Sequence, residues 1–205
     1  MHHRVEPYVT LVVGGAGSGK SEAAESLAAR HFGQPVTYVA TAPAEDPDDP
    51  SWAARVAAHV ARRPPHWETL ELATPESLPA VLREIEGVAL VDSLGTWVAA
   101  LEGFEVDARP LAGVLGDRRG SGRSSIVVSD EVGLGVHPLT QAGRHFREAL
   151  ALVNRAVSEV ADEVLFVLAG RVMRMGDSIV PLSFEAPPRA GEHPSDSPGC
   201  AGEGS

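Results

Sequence analysis

One cysteine, Cys200, is all that 205 residues contain. A lone thiol excludes an intrachain disulfide and a cysteine-rich zinc site, and it fits a reducing compartment. Positive charge is also scarce: 17 Lys and Arg stand against 28 Asp and Glu, for a formal net charge of -11. A surface that acidic repels a polyanion held through its phosphates, so nucleic acid is not an expected partner. No apolar run approaches the roughly 18 residues of a membrane span. Met1 to Tyr8 carries His2, His3, Arg4 and Glu6 where a secretory signal would build its apolar stretch, and a cytoplasmic protein is expected. What remains is ordinary globular material, 43% hydrophobic and 22% charged. That balance excludes a disordered chain or a coiled coil, and the length is enough to bury a sizeable core.

Composition divides the chain unevenly. From Ala186 to Ser205, Pro, Gly and Ser supply 11 of 20 residues and no large apolar side chain appears. Residues 186–205 are therefore expected to form a disordered tail behind a single domain at 1–185. Gly116–Ser124 (GDRRGSGRS) reads as a surface loop, too polar and glycine-rich to pack. Tyr8–Val13, Val36–Ala40, Val88–Val91, Ser125–Ser129 and Val164–Leu168 are short, nearly continuous apolar runs rich in β-branched residues, the pattern of strands buried on both faces. Between them, helices are predicted over Lys20–His31, Trp52–Arg63, Glu76–Glu84, Leu94–Leu101 and Gln141–Ala161. The last spaces Phe146, Leu150, Val153, Val157 and Val160 at helical steps. The alternation predicts an α/β fold with a mostly parallel sheet flanked by helices. In such sheets the ligand site lies at the carboxyl ends of the strands.

The first of those ends carries the strongest signal. Gly14, Gly15, Ala16, Gly17, Ser18, Gly19, Lys20 and Ser21 satisfy G-x-x-x-x-G-K-[ST] between a predicted strand and a predicted helix. Glycines let backbone N–H groups turn toward a phosphate chain, the helix N-terminus adds positive potential, Lys20 reaches β/γ oxygens and the Ser21 hydroxyl can ligate Mg²⁺. A nucleoside triphosphate, GTP or ATP, is the expected ligand, in a P-loop NTPase (RecA-like) architecture. Further along, Arg55, His59 and Arg63 sit at i, i+4 and i+8 of a predicted helix, which places two guanidinium groups beside one imidazole. Such a neighbourhood lowers the histidine pKa, keeps the ring nucleophilic and attracts phosphates. From spacing alone, a basic solvated face with an incidental histidine is the better explanation of the pattern.

The string from Arg55 through His59, Arg63-Pro64, Trp67 and Thr69 to Glu71, together with Asp130-Glu131-Val132-Gly133-Leu134-Gly135, Arg144-x-Phe146-Arg147 and Asn154-Arg155, resembles the bifunctional adenosylcobinamide kinase / adenosylcobinamide-phosphate guanylyltransferase family of cobalamin synthesis. The resemblance covers about Thr10 to Gly170. It implies that His59 attacks the α-phosphate of GTP and holds GMP as a phosphoramidate. It also implies that the nucleotide is bound by Gly14 to Ser21, Ala40, Thr41 and Ala42, Val60, Ala61, Arg62 and Arg63, Glu71 and Asp92. A corrinoid acceptor, Mg²⁺ and a homo-oligomer, a trimer, belong to the same implication.

The residues suit that chemistry on their own terms. A neutral imidazole can displace pyrophosphate, and the P–N bond it forms is labile once the ring is charged. Lys20 and the arginines can neutralise charge building on phosphate oxygens. Glu71 or Asp92 can accept from the N1–H and amino group of guanine, while Asp92, ending the VALVD run, also stands where a Walker-B Mg²⁺ ligand sits. Glu131 can orient the acceptor hydroxyl or Mg²⁺, or serve only loop solubility. Arg144 and Arg147 open the long helix as anion or interface residues, or as a solvated face. Trp52 and Trp97 are expected in the core. The chain departs from the family pattern at Gly17, where arginine is common, at Asp130, where asparagine is usual, and at His137, which replaces an apolar residue before Pro138. A phosphate-loop small-molecule kinase without guanylyl transfer, or a non-catalytic nucleotide-sensing module, accounts for the phosphate loop alone.

Overall fold

The computed structural model describes residues 6–30, 34–42, 57 and 60–176. The expected tail at 186–205 lies outside them. Seven strands form one sheet in the order β3-β2-β4-β5-β1-β6-β7: β1 Val9–Gly14, β2 Val36–Ala40, β3 Glu68–Glu71, β4 Val88–Asp92, β5 Ser125–Asp130, β6 Glu163–Leu168 and β7 Arg171–Met175. Every pairing is parallel except β6 with β7. The expected mostly parallel sheet is thus present. β1 lies at its heart with all six residues buried, and each fully buried Val or Leu contributes about 1.5–3 kcal/mol.

Helices cover both faces, as strands apolar on both sides require. On one face α1, Lys20–Ala28, packs Ala24 and Ala28 onto Val12, Leu90, Ile126 and Val128. The other face carries α2 Leu78–Glu84, α3 Leu94–Ala100, α4 Arg109–Gly120 and α5 Gln141–Val160, which share a core with Val9, Leu11, Val91 and Val127. The ends of these helices follow local chemistry. Ser93 and Thr96 form a reciprocal capping box at the start of α3, and the Thr140 hydroxyl accepts from the Gly143 amide to start α5. No helix among the described residues is long and apolar enough to cross a membrane.

Two readings of the sequence need revision. Gly116–Ser124 is not a loop: α4 runs through Gly120, and Arg118 is 0% exposed. Its three glycines mask a helical stripe in which Leu111, Val114, Leu115 and Arg118 occupy the core-facing positions. Strands β3 and β7 also escaped the pattern. They are the two edges of the sheet, β3 largely and β7 wholly exposed, so pairing rather than burial creates them. The expected helix Trp52–Arg63 falls mostly outside the described residues, where only 57 and 60–62 are recorded as helical.

Arg118 anchors the amino-end edge of the sheet. Its guanidinium donates to the carbonyls of Leu82 (2.7 Å), Ile85 (2.6 Å), Gly87 (3.0 Å) and Ser124 (3.1 Å), and to the Ser125 hydroxyl (3.0 Å). Burial, then the nearby Arg123 charge, lowers its pKa to about 10, so it remains a cation at neutral pH. Replacing Arg118 by Met removes all five hydrogen bonds, with the Ser124 and Ile85 carbonyls retaining the Ala89 amide and the Arg123 guanidinium as donors, and is expected to cost about 3–5 kcal/mol. For a domain of this size that lowers Tm by roughly 6–20 °C. Thermal unfolding followed by circular dichroism checks this, with Arg118→Lys, which keeps three of the five donors, falling between the two.

Candidate active site

Residues 15–19 turn from the end of β1 into α1. Gly17 and Gly19 hold φ of +67° and +92°, left-handed values that a side chain would strain. The Ser18 amide folds back to the Gly15 carbonyl at 3.2 Å, and the Ser18 carbonyl accepts from the Gly170 amide at 2.9 Å. The loop is therefore tied to the turn between β6 and β7. Ser18 Oγ is buried with no hydrogen-bond partner. Lys20 opens α1 with its ammonium 2.8 Å from Asp130 Oδ1 and 3.3 Å from the Gly15 carbonyl. Ser21 follows in the same turn, half-buried.

Parallel register lines up the other candidates. Ala40 lies opposite Glu71 on one side and Asp92 on the other, so Ala40, Glu71 and Asp92 end three adjacent strands. Thr41 is buried and donates through Oγ1 to the Ser93 carbonyl at 2.7 Å, fastening the end of β2 to the start of α3; Ala42 follows it. Glu71 is exposed. Asp92 is not free in the same way, because the Tyr38 hydroxyl donates to its Oδ2 at 2.6 Å. Burial first, and the Asp92 carboxylate second, push the Tyr38 phenol far above its usual range, so it stays a donor throughout the pH range of a folded protein.

The arginines after position 59 are drawn onto this assembly. The Arg62 guanidinium lies 3.5 Å from carboxylate oxygens of Glu22 and Glu25 on α1. That of Arg63 stacks 3.4 Å over the Tyr38 ring and donates to Thr69 Oγ1 at 3.2 Å, while its Nε is buried without a partner. Cation–π contact and ion pairs therefore seat residues 62–63 against α1 and β2. Val60 and Ala61 face outward. His59 and Arg55 lie outside the described residues.

The structure thus brings together the phosphate loop, Thr41, Arg63, Glu71 and Asp92 at one edge of the sheet. Glu131 follows the same edge, but its Oε1 accepts from the Gly133 amide at 2.6 Å, curling onto its own loop. Arg144 donates to the Pro138 and Leu139 carbonyls, each at 3.3 Å, and Arg147 lies 3.3 Å from His137 Nδ1, so both brace the loop before α5. Trp97 is buried, as expected, with Nε1 donating to the Pro75 carbonyl at 2.7 Å; Trp52 is outside the described residues. Sequence reasoning missed Tyr38 and the contact between Asp130 and Lys20. A tyrosine inside an apolar strand was the available sign of the first; nothing local signals the second.

Comparison with known proteins matches this sequence to one family. A family model described as cobinamide kinase / cobinamide phosphate guanyltransferase matches residues 10–175. A bifunctional adenosylcobalamin biosynthesis protein of Pseudomonas aeruginosa is 39% identical over 172 residues, covering 80% of this chain and 94% of that protein. Another bifunctional adenosylcobalamin biosynthesis protein, from Salmonella typhimurium, is 30% identical over 177 residues, covering 78% of this chain and 95% of that protein. Among solved structures, a flagellar accessory protein of Methanocaldococcus jannaschii aligns at 13% identity over 80% of this chain and 74% of its own, with a TM-score of 0.47. A KaiC-like protein of Pyrococcus horikoshii gives the same TM-score at 16% identity, covering 78% and 71%. With the match spanning β1 through β7 and every element that builds the site, this chain belongs to the cobinamide kinase / cobinamide phosphate guanyltransferase family.

Proposed function

We propose that this chain phosphorylates adenosylcobinamide with a nucleoside triphosphate and then transfers GMP from GTP, through His59, to adenosylcobinamide phosphate. The observation that carries the reading is the convergence of a phosphate loop, a lysine, two arginines and strand-end carboxylates at one edge of the sheet. In the second reaction an imidazole nitrogen of His59 attacks the α-phosphorus, a P–N bond forms and pyrophosphate leaves. An oxygen of the acceptor phosphate then attacks the same phosphorus, the P–N bond breaks and the ring is released with adenosylcobinamide-GDP formed. Lys20 and Arg63 balance charge on the phosphates. Leu134, Val136 and Leu139, between 81% and 96% exposed beside the end of β5, offer apolar surface to a large acceptor.

Oxygen donors from Ser21 and Asp92 suit a hard cation, so Ser21 with the Asp92 carboxylate is the set that would hold Mg²⁺. Bound there, the ion would neutralise phosphate charge. Glu71 supports the base-reading role better than Asp92, because its carboxylate is exposed at a strand end whereas Asp92 already holds the Tyr38 hydroxyl.

Incubating the full chain with GTP labelled at the α-phosphate tests the transfer. Acid-labile, base-stable label is expected on the protein, absent when the γ-phosphate carries the label and absent in His59→Ala. Phosphorylation of the corrinoid without protein-bound label would leave a small-molecule kinase. Base choice has its own check. Glu71→Gln is expected to narrow the preference for GTP over ITP, which lacks the 2-amino group, by about ten- to a hundredfold. An unchanged ratio there, with a shift in Asp92→Asn, would reverse the two assignments.

A further inference from the structure

Lys20 already has an anionic partner in the free protein, and that partner is itself held in place. Asp130 ends β5 opposite Gly14. Its Oδ1 meets the Lys20 ammonium at 2.8 Å, and its Oδ2 accepts from the Ser93 hydroxyl at 3.2 Å. The Asn154 side-chain amide donates to its backbone carbonyl at 3.1 Å. A Cβ at position 95 would come within 2.0 Å of Oδ2, so the carboxylate has its seat because residue 95 is glycine. The Lys20 and Asp130 side chains are only 13% and 26% exposed, where water screens a charge less than at an open surface.

We propose that Asp130 is a positioning residue that holds Lys20 across the mouth of the phosphate loop and competes with the β- and γ-phosphates of an incoming nucleotide for it. The proposal rests on the reading of residues 14–21 as a triphosphate site. A triphosphate arriving at Lys20 meets a fixed negative charge about one hydrogen bond away. Whether the ammonium leaves the carboxylate or is shared with it, binding works against that charge. The carboxylate thus presets the lysine before the nucleotide arrives, weakens the hold on it and hastens release. Its effect is confined to phosphates that reach Lys20, which separates it from general damage to the fold.

The test is calorimetric and uses the full chain with GTP and GMP in the presence of EDTA, so that no metal contributes. Asp130→Asn is expected to bind GTP on the order of tenfold more tightly, with the gain mainly in slower dissociation, and to bind GMP within about twofold of the parent. Asp130→Ala, which removes the charge without supplying an amide, is expected to change GTP affinity in the same direction, and circular dichroism establishes that each variant is folded. GTP affinity unchanged or weakened in both folded variants overturns the proposal, as does equal tightening of GMP. Lys20→Ala separates this from the reading beneath it. If Lys20→Ala binds GTP as the parent does, the phosphate-loop reading fails. If it loses GTP while Asp130→Asn shifts nothing, the competition alone is refuted.

Discussion

Parallel pairing of β1 with β5 on one side and β6 on the other is the constraint from which the site descends. It sets Gly14 opposite both Asp130 and Val167, so the phosphate loop must emerge between the end of β5 and the β6–β7 turn. Because β2, β3 and β4 run the same way, Glu71, Ala40 and Asp92 end at that edge too. Helix α1 then returns along the face toward which Tyr38 projects, and its first residue, Lys20, has a carboxylate within reach. No part of this needs long flexible segments to find one another. The register of the sheet delivers each group, and side-chain contacts refine it.

The central strands were legible because strands buried on both faces must be apolar throughout, and β1, β2, β4, β5 and β6 are close to that. The edges were not. β3 spells ETLE and β7 spells RVMRM, sequences that a solvated face permits but does not demand, so only the neighbouring strand makes them strands. Helix α4 was hidden by composition: glycine lowers helix propensity by about 1 kcal/mol per residue, and Arg118 occupies a core-facing position where an apolar side chain announces a helix. A buried arginine becomes readable only once the carbonyls that receive it are known.

The site divides along a similar line. The phosphate loop is local, eight consecutive residues whose spacing encodes their use, and it was read without the fold. The contact between Lys20 and Asp130 spans more than a hundred residues of chain, and no spacing rule covers it. Tyr38 reads as a core residue because its ring is one; its hydroxyl has a function only in the presence of Asp92, and its face only in the presence of Arg63. The roles of Arg62 and Arg63 as links to α1 and β2 likewise depend on partners supplied by tertiary structure.

Arg118 and Lys20 stand at opposite edges of the sheet and hold their charges in opposite ways. Arg118 is sealed from solvent and its hydrogen bonds go to carbonyl and hydroxyl oxygens rather than to a carboxylate, so dissolved ions cannot substitute for the groups that hold it. Lys20 is partly open and paired with a full negative charge, and mobile ions screen such a pair. The ionic strength of the medium therefore acts unequally on the molecule. It spares the sealed Arg118 cluster, reaches the exposed Arg119–Asp162 pair near the start of β1, and modulates the edge where phosphates would be received.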